Sequence, residues 1–192
     1  MRRDITRWEP RSASHIIEFV SLWRSEIPPT VWSNVEDQLI LPKLIAAVNN
    51  WDPINEKILI SDWLLPWHSI LGSSKMYDMI AQIRHRFRHC LRRWEASDAS
   101  AKVILWPWRD VWSEAEWNQF MIQNIVPKLE SAMASITVNI ATIDDKKIRY
   151  VQDWVGLVPS QVILRLFDEI FFRKWSVALK AWLQSPCVSN IL

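Results

Sequence analysis

"RWEPRSAS", residues 7–14, returns as "RWEASDAS", residues 93–100, with five of the eight positions identical. A loop repeated 86 residues on limits the possible architectures sharply, because it implies that one unit was built twice. The echo also keeps its order. Trp23-Arg24 returns as Trp108-Arg109 and Trp32 as Trp117, both at an offset of 85. "QLILPKL" (38–44) returns as "QNIVPKL" (123–129), Asp62-Trp63 as Asp153-Trp154, and "FRHCLRRW" (87–94) as "WSVALKAW" (175–182). Copy one therefore runs over about 7–92 and copy two over about 93–181 of a single domain, 1–192. Trp182, in the place of Trp94, opens a third copy that is truncated at 192.

Within each copy the apolar residues follow a helical period. "HIIEFVSLW" (15–23) places them at 16, 17, 19, 20 and 23, and "SKMYDMIAQIRHRFRHCLRRW" (74–94) at 76, 77, 80, 83, 87, 91 and 94. No segment shows sustained two-residue alternation, so no sheet is expected. Only two glycines, Gly72 and Gly156, occur in 192 residues, which argues against tight hairpins and against a glycine-rich phosphate loop. Four helices per copy make two hairpins of roughly 43 residues each, the length of HEAT-type repeats. The expected fold is all-α: a two-copy helical repeat stacked as a HEAT-like α-solenoid. Ser14, Ser73, Ser100 and Ser160 are the candidate N-caps. Pro42 and Pro127 hold the same place in the two copies, where each is expected to kink a helix by removing the bond to Gln38 or Gln123, the alternative being that each starts a new helix at its first position.

Little in the chain points to catalysis. His85 and His89 stand four apart, a spacing that can grip a metal, but no HExxH glutamate accompanies them, and His15 and His68 have no companion. Asp144-Asp145 reads as a helix start, no GxSxG occurs, and Cys90 and Cys187 build neither a disulfide framework nor a four-cysteine site. The expectation is a non-enzyme with no cofactor and no metal. No run approaches the roughly 18 uninterrupted apolar residues of a membrane span, and the start lacks a signal peptide's apolar stretch, so an intracellular compartment and no membrane partner are expected.

Binding is the remaining class. Net charge is only +2, yet "RHRFRHCLRR" (84–93) gathers Arg84, Arg86, Arg88, Arg92 and Arg93, with Phe87 available for stacking. RNA or DNA contact through this cluster is the alternative function. Copy two carries only Lys174 and Lys180 there, so the charge does not belong to the repeat architecture. Of the fourteen tryptophans, Trp23, Trp32, Trp63 and Trp94 have partners in copy two and read as core. Trp51, Trp67, Trp106 and Trp112 break the symmetry and read as interface candidates. The segment 160–185 carries more apolar residues than one helix face can bury, so an exposed patch is expected near Phe171, Phe172 and Trp175. With Trp106 and Trp112, these are the candidate partner-binding residues.

"LPKLIAAVNNWDP", "DWLLPWHSILG", "MYDMIAQIRHRFRHCLRRWEASDASAKVILWPWRDVW" and "IVPKLESAM" resemble, in this order, the domain shared by septin- and tuftelin-interacting proteins and the GC-rich-sequence DNA-binding-factor-like proteins. Asn55-Glu56 depart from that pattern, which has proline-isoleucine there. The resemblance implies a nuclear scaffold of spliceosome disassembly that binds spliceosomal proteins, a related family member among them. Such proteins recruit a DEAH-box helicase to the intron-lariat complex through a glycine-rich G-patch, which is absent from these 192 residues.

Overall fold

The computed structural model describes residues 8–139, 142–143 and 145–184. Asp144, Cys187 and residues 185–192, with most of the expected third copy, lie outside the described residues. The chain divides into two compact units, Met1–Cys90 and Leu91–Leu192.

In the first unit a 3-10 turn, Pro10–Ser12, leads into α1 (Ser14–Trp23), α2 (Pro29–Val35), a π-helical segment (Glu36–Ile40), α3 (Leu41–Asn49) and α4 (Ile60–Leu91). Pro29 opens α2, where its missing N–H would have had no partner anyway. Lys75 on α4 reaches back to the π segment, donating to the buried Glu36 at 2.5 Å and to Asp37 at 2.9 Å. Gly72 interrupts α4 with φ 80° and ψ 161°, a conformation open essentially to glycine alone. A Cβ there would meet nothing within 4 Å, so the backbone, not space, demands the glycine. The core is built from Ile40, Leu44 and Val48 against Leu64, Trp67, Met76 and Ile83, all fully buried.

The second unit runs α5 (Ser100–Leu105), a 3-10 turn (Trp106–Trp108), α6 (Glu114–Asn124), α7 (Val126–Ala134), β1 (Val138–Asn139), β2 (Thr142–Ile143), α8 (Asp145–Gln152), α9 (Ser160–Leu166), a second π segment (Phe167–Phe172) and α10 (Arg173–Leu183). Its core repeats the first position by position. Ile125, Leu129 and Met133 stand 85 residues after Ile40, Leu44 and Val48, and all six are fully buried.

The backbone bonds repeat as well. Ile27 donates to Trp23 O and Trp112 to Trp108 O, both at 3.1 Å; Trp32 donates to Pro28 O and Trp117 to Ser113 O, both at 2.9 Å. The PKL lysine clasps the opening loop in each unit. Lys43 donates to Trp8 O and Lys128 to Arg92 O, both at 2.9 Å. The carbonyls at the end of the helix after the proline are met in one way. Arg86 donates to Asn49 O at 2.7 Å and to Trp51 O, and its counterpart Lys174 to Ala134 O and to Ile136 O at 3.1 Å. A cation satisfying the last carbonyls of a helix is a standard C-terminal device. The charge at 86 thus belongs to the repeat, contrary to the sequence expectation, because a lysine serves the purpose as well as an arginine.

Three further expectations need correction. Apart from the helices, the described residues contain a minimal antiparallel ladder, Val138 opposite Ile143 and Asn139 opposite Thr142, too short to leave an alternating pattern. None of the four serines is an N-cap. Ser14, Ser100 and Ser160 are first helical residues, behind Ala13, Ala99 and Pro159, and Ser73 lies within α4, bonded to His68 at 3.1 Å. The capping serine is Ser113, whose hydroxyl accepts from Glu116 N while the Glu116 carboxylate accepts from Ser113 N, a reciprocal capping box. The prolines do not simply kink a continuous α-helix. Each is the second residue of a new helical segment, after Ile40 (φ −91°) or Ile125 (φ −100°). Before Pro42 the turn widens and Leu41 N–H bonds to Glu36 O, which relieves the clash a proline ring makes with the carbonyl four residues back.

Candidate interaction surfaces

In the first unit an apolar groove of about 650 Å3 opens between α1 and the α2–π stretch. Phe19, Trp23, Ile27, Val31, Trp32 and Val35 form its walls; Glu26, Asn34 and Gln38 supply its polar groups. Trp23, read as core, is 46% exposed here. Its counterpart Trp108 is fully buried, as is Trp117, and Trp32 is buried but keeps a small exposed edge.

The arginine cluster is only partly free for a ligand. Arg86 holds the end of α3, as above, and Arg84 is half-buried with interactions of its own. Phe87 is buried, its ring edge-on to Trp51 at 5.6 Å, and so cannot stack on a base. Arg88, Arg92 and Arg93 are exposed. His85, His89, Asp52 and Cys90 line a shallow hollow with Trp51. Among the described residues no group of three or more His, Cys, Asp or Glu could hold a metal ion. Burial, followed by the Asp52 charge, pushes the Cys90 thiol above its ordinary value, which favours the unreactive protonated form.

On the second unit the aromatics divide. Trp106 is 60% exposed, but Trp112 is buried against Trp108, Trp117 and Phe120, with ring centres 6.3, 5.6 and 5.0 Å away. Trp112 is therefore a core residue rather than an interface residue, as are Trp51 and Trp67. For these three, lack of a tryptophan partner in the other copy reflects different packing rather than exposure. Phe171 is half-buried, Phe172 52% exposed and Trp175 38% exposed. No residue of α10 is buried, and Val177, Trp182 and Leu183 are also exposed. The equivalent stretch of α4, from residue 85 on, buries Phe87 and Leu91. Among the described residues, no helix is long and apolar enough to cross a membrane.

A family model for GC-rich sequence DNA-binding factor-like proteins matches residues 1–179. The chain belongs to this family. It is 34% identical over 185 residues to Tuftelin-interacting protein 11 of Xenopus laevis and to that of Homo sapiens. The Xenopus tropicalis protein of the same name is 33% identical. Each match covers 96% of this chain and 22% of the relative, so the chain spans about a fifth of the length of these relatives.

The structure gives the motifs of this GC-rich sequence DNA-binding factor-like chain physical roles. The lysine of PKL clasps the opening loop, and the tryptophan of that loop packs inward: Trp8 on Trp67 at 5.1 Å, Trp94 on Trp154 at 5.6 Å. Glu56, at a departure from the family pattern, receives both Nε and Nη2 of Arg11, the Nε bond being 2.9 Å. Arg11 stands where copy two has Ser97, so this fork belongs to the first unit alone.

The hydrogen bond from Arg11 holds the Glu56 carboxyl below its ordinary 4.5, with burial opposing and the arginine's charge assisting. A carboxyl depressed in the folded state stabilises fully above its unfolded value and loses that contribution as pH falls through the folded value. The stability difference between the parent chain and Glu56→Gln is therefore expected to be complete at pH 7, to shrink below about 4.5 and then to close. Urea unfolding of both chains across that range measures it, and a difference that stays constant counts against the fork.

Proposed function

We propose that the chain is a non-enzymatic protein-interaction scaffold. It forms part of a longer nuclear factor that brings a DEAH-box helicase to the intron-lariat complex, the helicase engaging a G-patch carried elsewhere. The HEAT-like stacking of the helical hairpins is part of the same proposal, and splicing proteins, a related family member among them, are the partners it implies. The observation that supports this reading most is α10. This helix of eleven residues buries none of its side chains and presents Trp175, Trp182 and Leu183, continuing from Phe172, where its counterpart in the other unit is packed. Large contiguous apolar patches on a folded surface commonly mark protein contacts, and tryptophan is enriched at their energetic centres. The relatives' name, Tuftelin-interacting protein 11, likewise denotes a protein that binds another protein. Nucleic-acid contact is the weaker reading, since only Arg88, Arg92 and Arg93 of the cluster are exposed, against the roughly 6–10 phosphate contacts behind strong salt-dependent binding.

The test is recovery of complexes by the full-length protein carrying Phe172→Ser and Trp175→Ser together. Both side chains are exposed, so folding is retained, as a thermal melt would verify. Co-purifying splicing proteins should fall about tenfold, the loss of one hot-spot cluster. Unchanged recovery would overturn the assignment of this face.

A further inference from the structure

The two units differ at one place in a way that describes a missing occupant. Trp112 of the second unit sits among Trp108, Trp117 and Phe120. Subtracting the repeat offset of 85, these four positions are Ile27, Trp23, Trp32 and Val35, and all four line the groove of the first unit. The backbone is the same in both: residue 27 and residue 112 each close the turn after the first tryptophan with the same 3.1 Å bond. Where the second unit inserts its own indole and a phenyl ring, the first has isoleucine and valine, and a volume of about 650 Å3 is left open. Trp117 donates its indole N–H to Leu157 O at 2.7 Å, while the buried Trp32 Nε1 has no acceptor among the described residues. The open volume is what marks the first unit as incomplete where the second is closed.

We infer that the groove of the first unit is a docking site for a partner protein segment that inserts a tryptophan side chain beside Trp23 and Trp32, with a basic residue flanking it. The indole follows from what the sister unit places there. The basic flank follows from the lining, which offers the Glu26 carboxylate and the Asn34 and Gln38 amides and includes no cation. The volume lies within the range of roughly 300–1,000 Å3 typical of sites that enclose a ligand group. This inference rests on the scaffold reading but places a contact on a different unit from α10, so the two can fail separately.

The probe is a short fluorescein-labelled peptide with one central tryptophan flanked by lysines, titrated into the 192-residue chain and followed by anisotropy. Its Trp→Ala counterpart is expected to bind at least about tenfold more weakly. Ile27→Trp, which copies the second unit's own plug, should weaken the tryptophan peptide by a similar factor and raise the melting temperature. Val31→Arg, at an exposed wall position that leaves folding intact, should weaken it without raising the melting temperature. The Phe172→Ser, Trp175→Ser chain should bind the peptide normally. Equal affinity for the two peptides, or unchanged binding by Ile27→Trp and Val31→Arg, overturns the proposal. Self-association in light scattering that Ile27→Trp abolishes overturns it too, since the occupant would then be a second copy.

Discussion

Replacing Trp117 by alanine lowers stability by about 3–5 kcal/mol, the usual cost of deleting a large aromatic from a site that cannot collapse. Trp117 is fully buried, with Trp112 at 5.6 Å on one side and the Arg109 guanidinium over its ring at 5.6 Å. Its N–H bond to Leu157 O separates two contributions. Trp117→Phe keeps most of the ring but leaves that carbonyl without its donor, an expected loss of about 1–3 kcal/mol. Trp32→Phe should cost less, because Trp32 Nε1 makes no such bond among the described residues. Urea unfolding of the three variants decides the order. A Trp117→Ala chain that loses under about 1 kcal/mol would mean the aromatic stack is not a packed core.

Arg86→Met is expected to cost about 2–3 kcal/mol. A hydrogen bond to a charged group contributes about 1.5–3 kcal/mol, and Arg86 makes two, discounted because the side chain is half exposed. The apolar stem is kept, so the loss reports the two carbonyls at the end of α3. Arg86→Lys should recover most of it, since Lys174 performs the same task in the other unit. Arg88→Met, at an exposed arginine of the same helix, is the control and should be near neutral. If the two methionine variants unfold alike, the carbonyl clasp contributes nothing. The comparison also bears on any charge reversal across 84–93, in which loss of RNA binding through Arg86→Glu would reflect a loosened helix end.

The helical character and the internal repeat were legible because both are written in spacing. Trp32 and Trp117, or Leu44 and Leu129, hold equivalent positions and are buried alike. Helix starts are hard to place because a serine at the first helical position and a serine one residue earlier look the same in a string of letters; Ser113 has Glu116 three residues on, but Ser33, inside α2, has Glu36 at the same spacing. Trp112 reads as a surface residue in the sequence because it has no tryptophan partner at 27. That same mismatch is what leaves the groove open, so the signal was present and its meaning lay in the other copy. The role of Arg86 was hidden because its counterpart is a lysine, and one shared charge within a run of five arginines does not stand out. The bare face of α10 was legible from the excess of apolar residues in 160–185 over what one helix face can bury.

The four side-chain clasps also bear on how the chain folds. Lys43 to Trp8 closes a loop of 35 residues, Lys128 to Arg92 one of 36, Arg86 to Asn49 one of 37 and Lys174 to Ala134 one of 40. The entropy of closing a loop grows only with the logarithm of its length, so these differ by about 0.1 kcal/mol at most. Neither half has a topological head start over the other. These closures therefore do not decide which half orders first, which is left to the quality of the core that each one traps. The second half traps three clustered indoles and the first an open groove, so Trp108, Trp112 and Trp117 are expected to give the higher φ-values in folding kinetics.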